Sequence, residues 1–492
     1  MRCALVIPAW RPEDIFPART AGSQQNYWQP LGTLYVASSL ERAGHEVRFL
    51  NGAFLSHQAL LDELVAFRPR LVGIYATTFG WPGAERTAAD VKVRLPEAFV
   101  CAGGPYPIAA REGCLRTRNG FDAAVTGEGE STLVELAERL TRGEGLEGVL
   151  GVVFRDGEGV RVNPPRALCP DLDGLAFPDR RLLGDANLYM PPPAMYRRKP
   201  VAVVLTSRGC NRRCVFCFQM DKERRTGIRY RSVENVLEEV ELCLRQGFRE
   251  IKFIDDTFAQ DRERALLLTR EIRRRGLDFT WFASACVNQV DPELLRAFKD
   301  AGCWAILYGV ESGVQRNLNT IRKGITLQQA RNAVAWARQA GLHVQTTFVF
   351  GIPGETYDEA LRTIDFACEL DADVASFHAI VPFPGTELHD RIAEWGSVSE
   401  DLRDFTYQGA AFVPHSMTRD QIRALRQRAY RRFYSRPRAL LRRLLALRSG
   451  EDLRTAARSL STLFWLWAGK GVLDGPAAER RRELPPGAIE RA

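Results

Sequence analysis

Short apolar runs alternate with segments of helical spacing along most of this 492-residue chain, and this alternation constrains its fold more than any other feature. Within the first 150 residues the runs lie at 3–7, 47–50, 71–77, 99–102 and 123–126. Strands that alternate with helices imply right-handed crossovers and a parallel sheet. The sequence therefore predicts an α/β fold that begins with a doubly wound parallel sheet over residues 1–150.

A second series of strand and helix units occupies residues 198–400. Its apolar runs lie at 201–206, 250–254, 279–283, 305–308, 344–350 and 374–381. Six units are fewer than the eight of a complete barrel. Polar residues or glycines follow these runs, and the carboxyl ends of the strands are where a barrel places its chemistry.

The remaining segments differ in composition. Residues 151–197 are rich in proline and contain a hairpin-like stretch, Asp156–Gly157–Glu158–Gly159, so we predict a surface linker between domains. Residues 401–475 are predicted to be helical, with a helix capped by Thr418 and interrupted at Pro437. Residues 476–492 are predicted to be a flexible tail.

Charge and hydropathy indicate where in the cell the protein is expected and in which redox state its cysteines are. No apolar run approaches the ~20 residues of a membrane span, and the N-terminus lacks the apolar core of a secretory signal, so a cytoplasmic location is expected. There the 11 cysteines should be reduced thiols or metal ligands. The net charge of +8 permits an anionic partner without requiring one.

The C-terminal segment leaves two alternatives open. Residues 421–449 hold ten arginines and no acidic residue, which fits either a phosphate- or membrane-binding surface or a solvated helix face. The stretch LSTLFWLW at 460–467 is too short to cross a bilayer. We favour a helix packed over the open side of the barrel over one that contacts lipid.

Three cysteines form the sharpest motif of the chain. Cys210, Cys214 and Cys217 follow the apolar run at 201–206 with the spacing CxxxCxxC. Cysteine thiolates are the usual ligands of iron–sulfur clusters, and three of them leave one iron of a [4Fe-4S] cluster open to another ligand. Zinc is the competing metal, but a structural zinc site takes four ligands, usually as two pairs, and no second pair follows.

This motif, with Phe216 at its aromatic position, resembles that of the radical S-adenosylmethionine (SAM) enzymes. The resemblance implies a partial barrel that is open on one side. It also implies that the open iron chelates SAM and that a reduced cluster cleaves it to methionine and a 5′-deoxyadenosyl radical. That radical abstracts hydrogen from a small-molecule substrate. The cluster's electron would come from a donor such as flavodoxin or ferredoxin.

The same resemblance assigns SAM contacts to the turns that follow the strands. By position, Asp255, Asp256 and Thr257 would contact the amino group of SAM. Glu311 and Ser312 would contact its ribose, and the turn at 351–355 would contact its adenine. These SAM contacts are Phe216, Asp255, Asp256, Thr257, Glu311, Ser312, Gly351 and Ile352. Two alternatives stay open: Asp255 or Asp256 caps the helix that begins near Asp261, and Glu311 pairs with one of the many arginines.

A parallel sheet that precedes such a barrel resembles the cobalamin-binding radical SAM enzymes, and the likeness covers roughly residues 1–400. It rests on Pro30–Gly32, the strand at 71–77, Cys101–Pro105 and Val125–Glu130. The cobalamin contacts implied at the carboxyl ends of the strands are Thr77, Thr78, Gly103, Gly104, Pro105, Gly127 and Glu128. The alternative is a sheet without cobalamin that is purely structural.

The chain departs from the wider cobalamin pattern because it contains no Asp-x-His-x-x-Gly motif. We therefore predict a base-off cobalamin without a histidine ligand. The leading hypothesis for the reaction is methylation of an unactivated carbon or, less often, of phosphorus. The first alternative is an oxidative cyclase or rearrangement enzyme of the anaerobic magnesium-protoporphyrin cyclase type, and the second is a non-catalytic cobalamin or iron–sulfur sensor. No nucleic-acid partner is expected.

Overall fold

The computed structural model describes residues 1–10, 27–192, 195–221, 226–407 and 409–437 of the chain. Its described residues divide into two compact units. The first unit consists of residues 1–10, Tyr27–Tyr189 and Phe218–Ser232. The second consists of Met190–Cys217 and the described residues from 233 to 437. Within these residues, no helix has the length and apolar character needed to cross a bilayer.

The first unit is built on one seven-stranded sheet in the order β2-β1-β3-β4-β5-β6-β7. Strands β1 to β5 pair in parallel, and β6 and β7 are added antiparallel. This confirms the predicted doubly wound sheet. The strands are β1 Arg2–Ile7, β2 Glu46–Asn51, β3 Leu71–Tyr75, β4 Phe99–Gly103, β5 Ala123–Val125, β6 Val152–Asp156 and β7 Gly159–Val162.

Helices cover the faces of this sheet because its central strands are apolar on both sides, as parallel strands usually are. In β1 the run from Cys3 to Val6 is buried throughout. Leu133 and Leu136 of one helix pack into the same core as Leu5. The helices are α1 Leu31–Arg42, α2 His57–Phe67, α3 Trp81–Arg94, α4 Pro105–Ala110 and α5 Gly129–Arg142.

The segment predicted as a linker, residues 151–197, is partly a strand pair of this sheet. Val152 and Val153 of β6 are buried against β5, and β7 forms the outer edge of the sheet. The predicted hairpin is present, with Asp156 opposite Gly159 and Gly157 at φ +59° in the turn. The prolines that suggested a linker begin only at Pro164, after the hairpin has closed.

The second unit contains a six-stranded parallel sheet whose strands lie in chain order, β8-β11-β12-β13-β14-β15. Strands β8 and β15 are its two edges, which confirms a partial barrel of six units. The strands are β8 Val201–Val204, β11 Glu250–Phe253, β12 Thr280–Ala285, β13 Cys303–Glu311, β14 His343–Phe350 and β15 Val374–Ala379. Two-residue strands lie at β9 Ser207–Arg208 and β10 Arg229–Tyr230.

The helices of this unit begin at well-formed caps. Thr326, Thr356 and Thr418 each form a capping box with the glutamine or glutamate three residues later, which satisfies donors that a helix start leaves unpaired. The helices are α6 Val233–Arg245, α7 Arg262–Arg274, α8 Pro292–Asp300, α9 Gln315–Thr320, α10 Leu327–Gln339, α11 Tyr357–Leu370, α12 Glu387–Asp390, α13 Ile392–Trp395 and α14 Arg419–Tyr434.

One face of the second sheet carries the helices and the other does not. Crossovers between neighbouring parallel strands are right-handed, so strands laid down in chain order place every crossover helix on the same face. Phe253 and Trp281 lie on this helix face, because Trp281 contacts Phe298 of α8. Their neighbours Lys252 and Phe282 therefore face the interior of the partial barrel.

The described part of the predicted helical region, 401–475, is only partly helical. Phe412–Pro414 forms β17, which pairs antiparallel with β16, Gly396–Val398. Phe412 is fully buried, so this strand is held by apolar packing that a helical assignment overlooked. The predicted cap at Thr418 is confirmed at the start of α14. The LSTLFWLW stretch and the predicted tail lie outside the described residues.

Helix α14 shields the outer edge of β15. The hydroxyl of Tyr434 accepts a hydrogen bond from Ala375 N and donates one to Ala375 O, at 3.2 and 2.8 Å. The hydroxyl of Tyr430 accepts from Phe377 N at 3.3 Å, and Arg426 Nε donates to Phe377 O at 3.2 Å. Side chains thus satisfy backbone groups that a neighbouring strand would otherwise pair.

Candidate active site

The three cysteines lie on a loop that leaves the carboxyl end of β8. The thiols of Cys214 and Cys217 are within hydrogen-bond contact of each other, and Arg212 N lies 3.4 Å from Cys210 Sγ. Backbone hydrogen bonds hold the loop at Val215, which donates to Ile321 O at 3.2 Å and accepts from Leu388 N at 2.9 Å. The loop is therefore anchored by the chain after α9 and by α12.

The surroundings of the loop favour a thiolate at Cys214. The hydrogen bond between the two thiols lowers the pKa of Cys214 to about 7 and raises that of Cys217 well above its usual value, and the nearby cations Lys323 and Arg212 also lower the pKa of Cys214. A thiolate is the form that binds metal. Lys323 also pairs with Glu311, Nζ to Oε1 at 2.7 Å, so one buried cation faces both a predicted cluster ligand and a predicted SAM contact.

The donor set of this loop fits an iron–sulfur cluster. Three thiols come from eight consecutive residues, and Cys217 is exposed while Cys210 and Cys214 are partly buried. Among the described residues, no three histidine, cysteine or acidic side chains converge as ligands of one metal ion. The three cysteines of a cluster would each bind a different iron, so they need not converge on one point.

The predicted amino-group contacts at the end of β11 have different surroundings. Asp255 is buried, and its carboxylate accepts hydrogen bonds from Thr206 N at 3.1 Å, Thr206 Oγ1 at 2.8 Å and Ser207 Oγ at 2.5 Å. Asp255 therefore secures the start of the cysteine loop. Asp256 is exposed, and Thr257 is buried with an Oγ1 that has no described hydrogen-bond partner. Asp256 accepts a backbone hydrogen bond from Gly209 at the start of the cysteine loop, and its exposed carboxylate can accept further donors.

The predicted ribose contacts also differ from each other. Glu311 ends β13 with φ +71°, an uncommon conformation for a glutamate, and pairs with Lys323. Ser312 is fully buried, and its hydroxyl lies 3.1 Å from Thr363 Oγ1 and accepts from Val314 N at 3.2 Å. The alternative that Glu311 pairs with an arginine is wrong in one detail, because its partner is a lysine.

The predicted adenine turn is shaped by a buried glutamate. Gly351 has φ +86°, and Ile352 is fully buried. Glu355 accepts hydrogen bonds from Gly351 N at 2.8 Å, Ile352 N at 3.3 Å and Asn317 Nδ2 at 3.1 Å. Burial raises the pKa of Glu355 to about 8. The glutamate thus fixes the backbone of the turn from inside.

In the first unit, the predicted cobalamin residues lie at the carboxyl ends of β3, β4 and β5, which are neighbours in the sheet. A Cβ added at Gly103 or Gly127 would meet nothing within 4 Å. At Gly104, with φ +103°, it would come within 2.9 Å of Ala76 O. Thr77 Oγ1 accepts from Gly80 N at 3.1 Å, and Thr78 is buried. The edge is thus an open cradle of backbone that fits a large flat ligand.

Glu128 differs from its glycine neighbours because its carboxylate is already engaged. Arg229 donates to both of its oxygens, at 2.8 and 3.0 Å, and Cys169 N donates at 2.7 Å. The two charged side chains are each 8% exposed. The role of Glu128 as a cobalamin contact therefore stays a prediction that competes with this ion pair. Pro105 is exposed at the first position of α4.

The histidines of the first unit do not lie free at this edge. His45 precedes β2, at the opposite end of the strands, with Nδ1 3.3 Å from the N-terminal amine. His57 Nε2 lies 2.7 Å from Asp90 Oδ2.

Sequence reasoning missed two residues of the site. Lys323 stands near Cys214 and Glu311, and Asn317 contacts Glu355 across the fold. Neither belongs to a spaced motif, and their partners are distant or on other elements. No pattern in the sequence alone marks them.

Comparison with known proteins identifies two domains in the chain. Residues 204–367 match the family model of the radical SAM superfamily, and residues 20–137 match that of the B12 binding domain. A third model, the C-terminal part of BetI-type transcriptional repressors, matches residues 392–465. The described part of that stretch holds α13, the strand pair β16–β17 and α14.

Curated relatives span most of the chain. An uncharacterized methyltransferase of Pyrococcus horikoshii is 35% identical and covers 94% of this chain and 99% of its own length. The cytidylyl-2-hydroxyethylphosphonate methyltransferase of Streptomyces wedmorensis is 29% identical, covering 83% and 86%. The anaerobic magnesium-protoporphyrin IX monomethyl ester cyclase of Rubrivivax gelatinosus is 25% identical, covering 83% and 74%.

Solved structures share the fold. The radical SAM methyltransferase TsrM from Kitasatospora setae, with cobalamin and a [4Fe-4S] cluster bound, aligns with a TM-score of 0.64 at 23% identity, covering 80% of this chain and 74% of that one. The cobalamin-dependent SAM radical enzyme OxsB aligns with a TM-score of 0.72 at 16% identity, covering 94% and 72%. Together with the full-length relative, the two matched domains and the cysteine loop, they show that the chain belongs to the cobalamin-binding radical SAM enzymes.

Proposed function

We propose that this enzyme transfers a methyl group to an unactivated carbon of a small molecule. The observation that carries the proposal is the methyltransferase relative that is 35% identical over 94% of this chain and 99% of its own length. A second relative, 29% identical, is also a methyltransferase, and its name gives cytidylyl-2-hydroxyethylphosphonate as the acceptor. Both relatives support methyl transfer, and the second supports a small-molecule acceptor.

The residues of the second unit would hold the cluster and SAM. Cys210, Cys214 and Cys217 would bind three irons, and Asp255 would keep the start of their loop in place through Thr206 and Ser207. Asp256 would accept from the amino group of SAM, because ammonium needs anionic acceptors. The predicted contacts at Phe216, Thr257, Glu311, Ser312, Gly351 and Ile352 would complete the SAM site.

The residues of the first unit would hold cobalamin. The open backbone at Gly103, Gly104 and Gly127 would accept its flat ring and nucleotide tail, with Thr77 and Thr78 at the end of the neighbouring strand. We infer a base-off form without a histidine ligand, because both histidines of this unit are engaged or at the opposite end of the strands.

When bound, the cofactors supply the radical and the methyl group, and the protein binds, orients and excludes water. An electron donor such as flavodoxin or ferredoxin would reduce the cluster. The charge of the three thiolates would be offset by the buried cation Lys323, which the structure places near Cys214.

The test is incubation of the reduced, reconstituted enzyme with methyl-labelled SAM and two candidate acceptors. These are cytidylyl-2-hydroxyethylphosphonate and magnesium-protoporphyrin IX monomethyl ester, taken from the named relatives. Label in an organic product supports methyl transfer. Conversion of the porphyrin with 5′-deoxyadenosine and no transferred label would favour the cyclase instead. Absence of both deoxyadenosine and label would leave only the sensor.

A further inference from the structure

A buried lysine inside the partial barrel has no role in holding any of the cofactors. Lys252 is the third residue of β11 and lies on the helix-free face of the sheet, in register with Phe282 of β12 and Val203 of β8. It is 7% exposed. Lys252 is therefore inside the partial barrel.

The residues along β11 place Lys252 at the floor of the interior. Successive side chains of a strand point to opposite faces, so Glu250 and Lys252 share one face of β11, which ends at Phe253. Exposure rises along the chain, with Glu250 at 1% and Lys252 at 7%, and Ile254, the first residue after the strand, at 38%. Lys252 thus lies between a fully buried acid and the exposed residues that follow the strand.

An apolar cluster packs beside Lys252. Phe282, Trp304 and Ala305 form one cluster with Met195 and Leu307 packed against it. The Nζ of Lys252 lies 2.8 Å from the centre of the Phe282 ring. A cation–π contact stabilises a buried ammonium less than an ion pair with a carboxylate does. The aromatic ring therefore does not replace a carboxylate partner for the amine.

The nearest acid is not available to the lysine. Glu250 accepts at Oε1 from Trp304 Nε1 at 2.7 Å, and at Oε2 from Arg197 N and Arg198 N, both at 2.7 Å, and from Thr280 Oγ1 at 2.8 Å. Four donors leave it little capacity for another. Among the described residues, no carboxylate forms an ion pair with Lys252.

Burial dominates the electrostatics of Lys252. It lowers the pKa of the amine well below the usual value, while the charges of Cys303 and Glu250 act in the opposite direction. A buried amine without an ion-pair partner destabilises a fold. Such groups persist mainly where a ligand uses them.

We propose that Lys252 anchors the substrate by binding an oxyanion, a carboxylate or a phosphorus oxyacid, at the floor of the barrel. A bound anion would favour the protonated amine, which would take up a proton from the solvent. The resulting ammonium would then form charge-assisted hydrogen bonds with the anion. The acidic group would lie at the base, and the carbon to be modified would point toward the carboxyl ends of the strands. This inference rests on the proposed function in one respect, since it takes the barrel interior as the place of reaction.

The test measures binding of two probes, acetate and methylphosphonate, to the cluster- and cobalamin-reconstituted enzyme with SAM bound, by calorimetry in buffers of different ionisation enthalpy. Acetamide is the neutral comparison. We expect one or both anions to bind with uptake of about one proton per site, and acetamide not to bind. Preference for acetate identifies a carboxylate, and preference for methylphosphonate identifies a phosphorus oxyacid.

Lys252→Met should weaken anion binding at least about tenfold, and Lys252→Arg should retain part of it. Lys299→Met is the matched control, because Lys299 is on α8 and bonds Gly341 O on the helix side. Equal anion binding by wild type and Lys252→Met, or binding without proton uptake, would overturn the inference.

Substrate-free formation of 5′-deoxyadenosine separates the two proposals. Lys252→Met should form it as the wild type does, since Lys252 is not among the proposed cluster or SAM contacts. Loss of anion binding with intact SAM cleavage supports the inference on its own. A wild type that cleaves no SAM would count against the proposed function, while the anion titration would still decide the role of Lys252.

Discussion

Adjacent residues of the site have opposite surroundings, and the pair Asp255 and Asp256 shows this most clearly. Asp255 accepts three hydrogen bonds from Thr206 and Ser207 inside the fold, whereas Asp256 is exposed. In the sequence, the two adjacent aspartates cannot be told apart. Which carboxylate is buried in the fold and which stays exposed to a ligand depends on partners about 50 residues away, and no local pattern reveals these partners.

Exchanging each carboxylate for an amide should separate the two roles. Asp255→Asn turns an acceptor into a partial donor against buried donors, so we expect it to lower the stability by about 1–3 kcal/mol and to loosen the cysteine loop. Asp256→Asn should leave the melting temperature unchanged and weaken SAM binding. Thermal unfolding and equilibrium dialysis of SAM measure the two effects. A stable Asp255→Asn protein would contradict the assignment.

The buried Glu355 gives a pH dependence with a definite sign. Because burial raises its pKa from 4.5 to about 8, the folded state holds this proton more tightly than the unfolded state does. Its contribution to stability is fully present below pH 4.5 and is lost as the pH rises toward 8, by on the order of 1 kcal/mol per pH unit.

Glu355→Gln should remove this dependence while it keeps the turn. The new amide can donate to Asn317 Oδ1, which has no described partner. We expect the melting temperature of the wild type to fall relative to that of the variant between pH 5 and pH 8, and the two curves to run parallel above pH 8. A difference that does not change with pH would show that Glu355 is ionised throughout.

At the scale of elements, the segment Phe218–Ser232 follows the cysteine loop yet belongs to the first unit. The ion pair of Arg229 with Glu128, both buried, fastens it there. Breaking a buried pair by removing one partner costs about 3–5 kcal/mol. Glu128→Gln should therefore destabilise the protein and expose this segment to limited proteolysis.

The matched control is Glu138→Gln on α5, the helix that Glu128 immediately precedes; the contact of Glu138 with Arg142 is exposed and 3.9 Å long. Such surface pairs contribute about 0–1 kcal/mol, so little change is expected. If Glu128 serves cobalamin instead, Glu128→Gln would lower cobalamin retention and leave proteolysis and melting unaffected.

Helix α14 replaces a missing strand at the edge of the partial barrel. Removing the hydroxyls of Tyr430 and Tyr434 leaves backbone groups of Ala375 and Phe377 unpaired, at about 1 kcal/mol for each lost hydrogen bond. The double variant Tyr430→Phe, Tyr434→Phe should melt several degrees lower and self-associate through the exposed edge. Tyr357→Phe is the control, because that hydroxyl has no described hydrogen bond. Unchanged melting and light scattering would refute this role.

The same helix clarifies the arginine block. In its described part, Arg426 is buried against β15, Arg432 pairs with Asp365, and Arg436 pairs with Asp371. Arg426 fastens the helix to β15, and Arg432 and Arg436 pair with acidic residues outside the block, which neither alternative considered at the sequence level had included. The acidic partners lie on and after α11, so charge counting within the block alone does not find them.

Elements with strong periodicity were predictable, and those defined by distant pairing were not. The six strands of the barrel carry long apolar runs, and each was found near its predicted place. The strand pairs β6–β7 and β16–β17 are short, and antiparallel partners rather than their own composition define them. The same distinction holds for the site residues. The spacing of the three cysteines is local and was predictable, whereas the ion pair of Glu128 joins residues about 100 positions apart and was not.

At the scale of the whole molecule, the proposed cofactors are held by separate units, so loss of one should leave the other in place. Cys214→Ala removes a cluster ligand from the second unit and leaves the glycine edge of the first unit untouched. Cys303→Ala is the control, because Cys303 is buried on β13 and its thiol bonds only Ala305 O among described residues.

After anaerobic reconstitution, Cys214→Ala should lack most of the iron and sulfide and form no 5′-deoxyadenosine, yet retain cobalamin as the wild type does. Cys303→Ala should keep iron, cobalamin and SAM cleavage together. Iron and sulfide assays, the visible spectrum of bound cobalamin and chromatography of deoxyadenosine give the three readouts. Full iron content in Cys214→Ala would remove this cysteine from the cluster, and joint loss of cobalamin would mean that the two sites do not form independently.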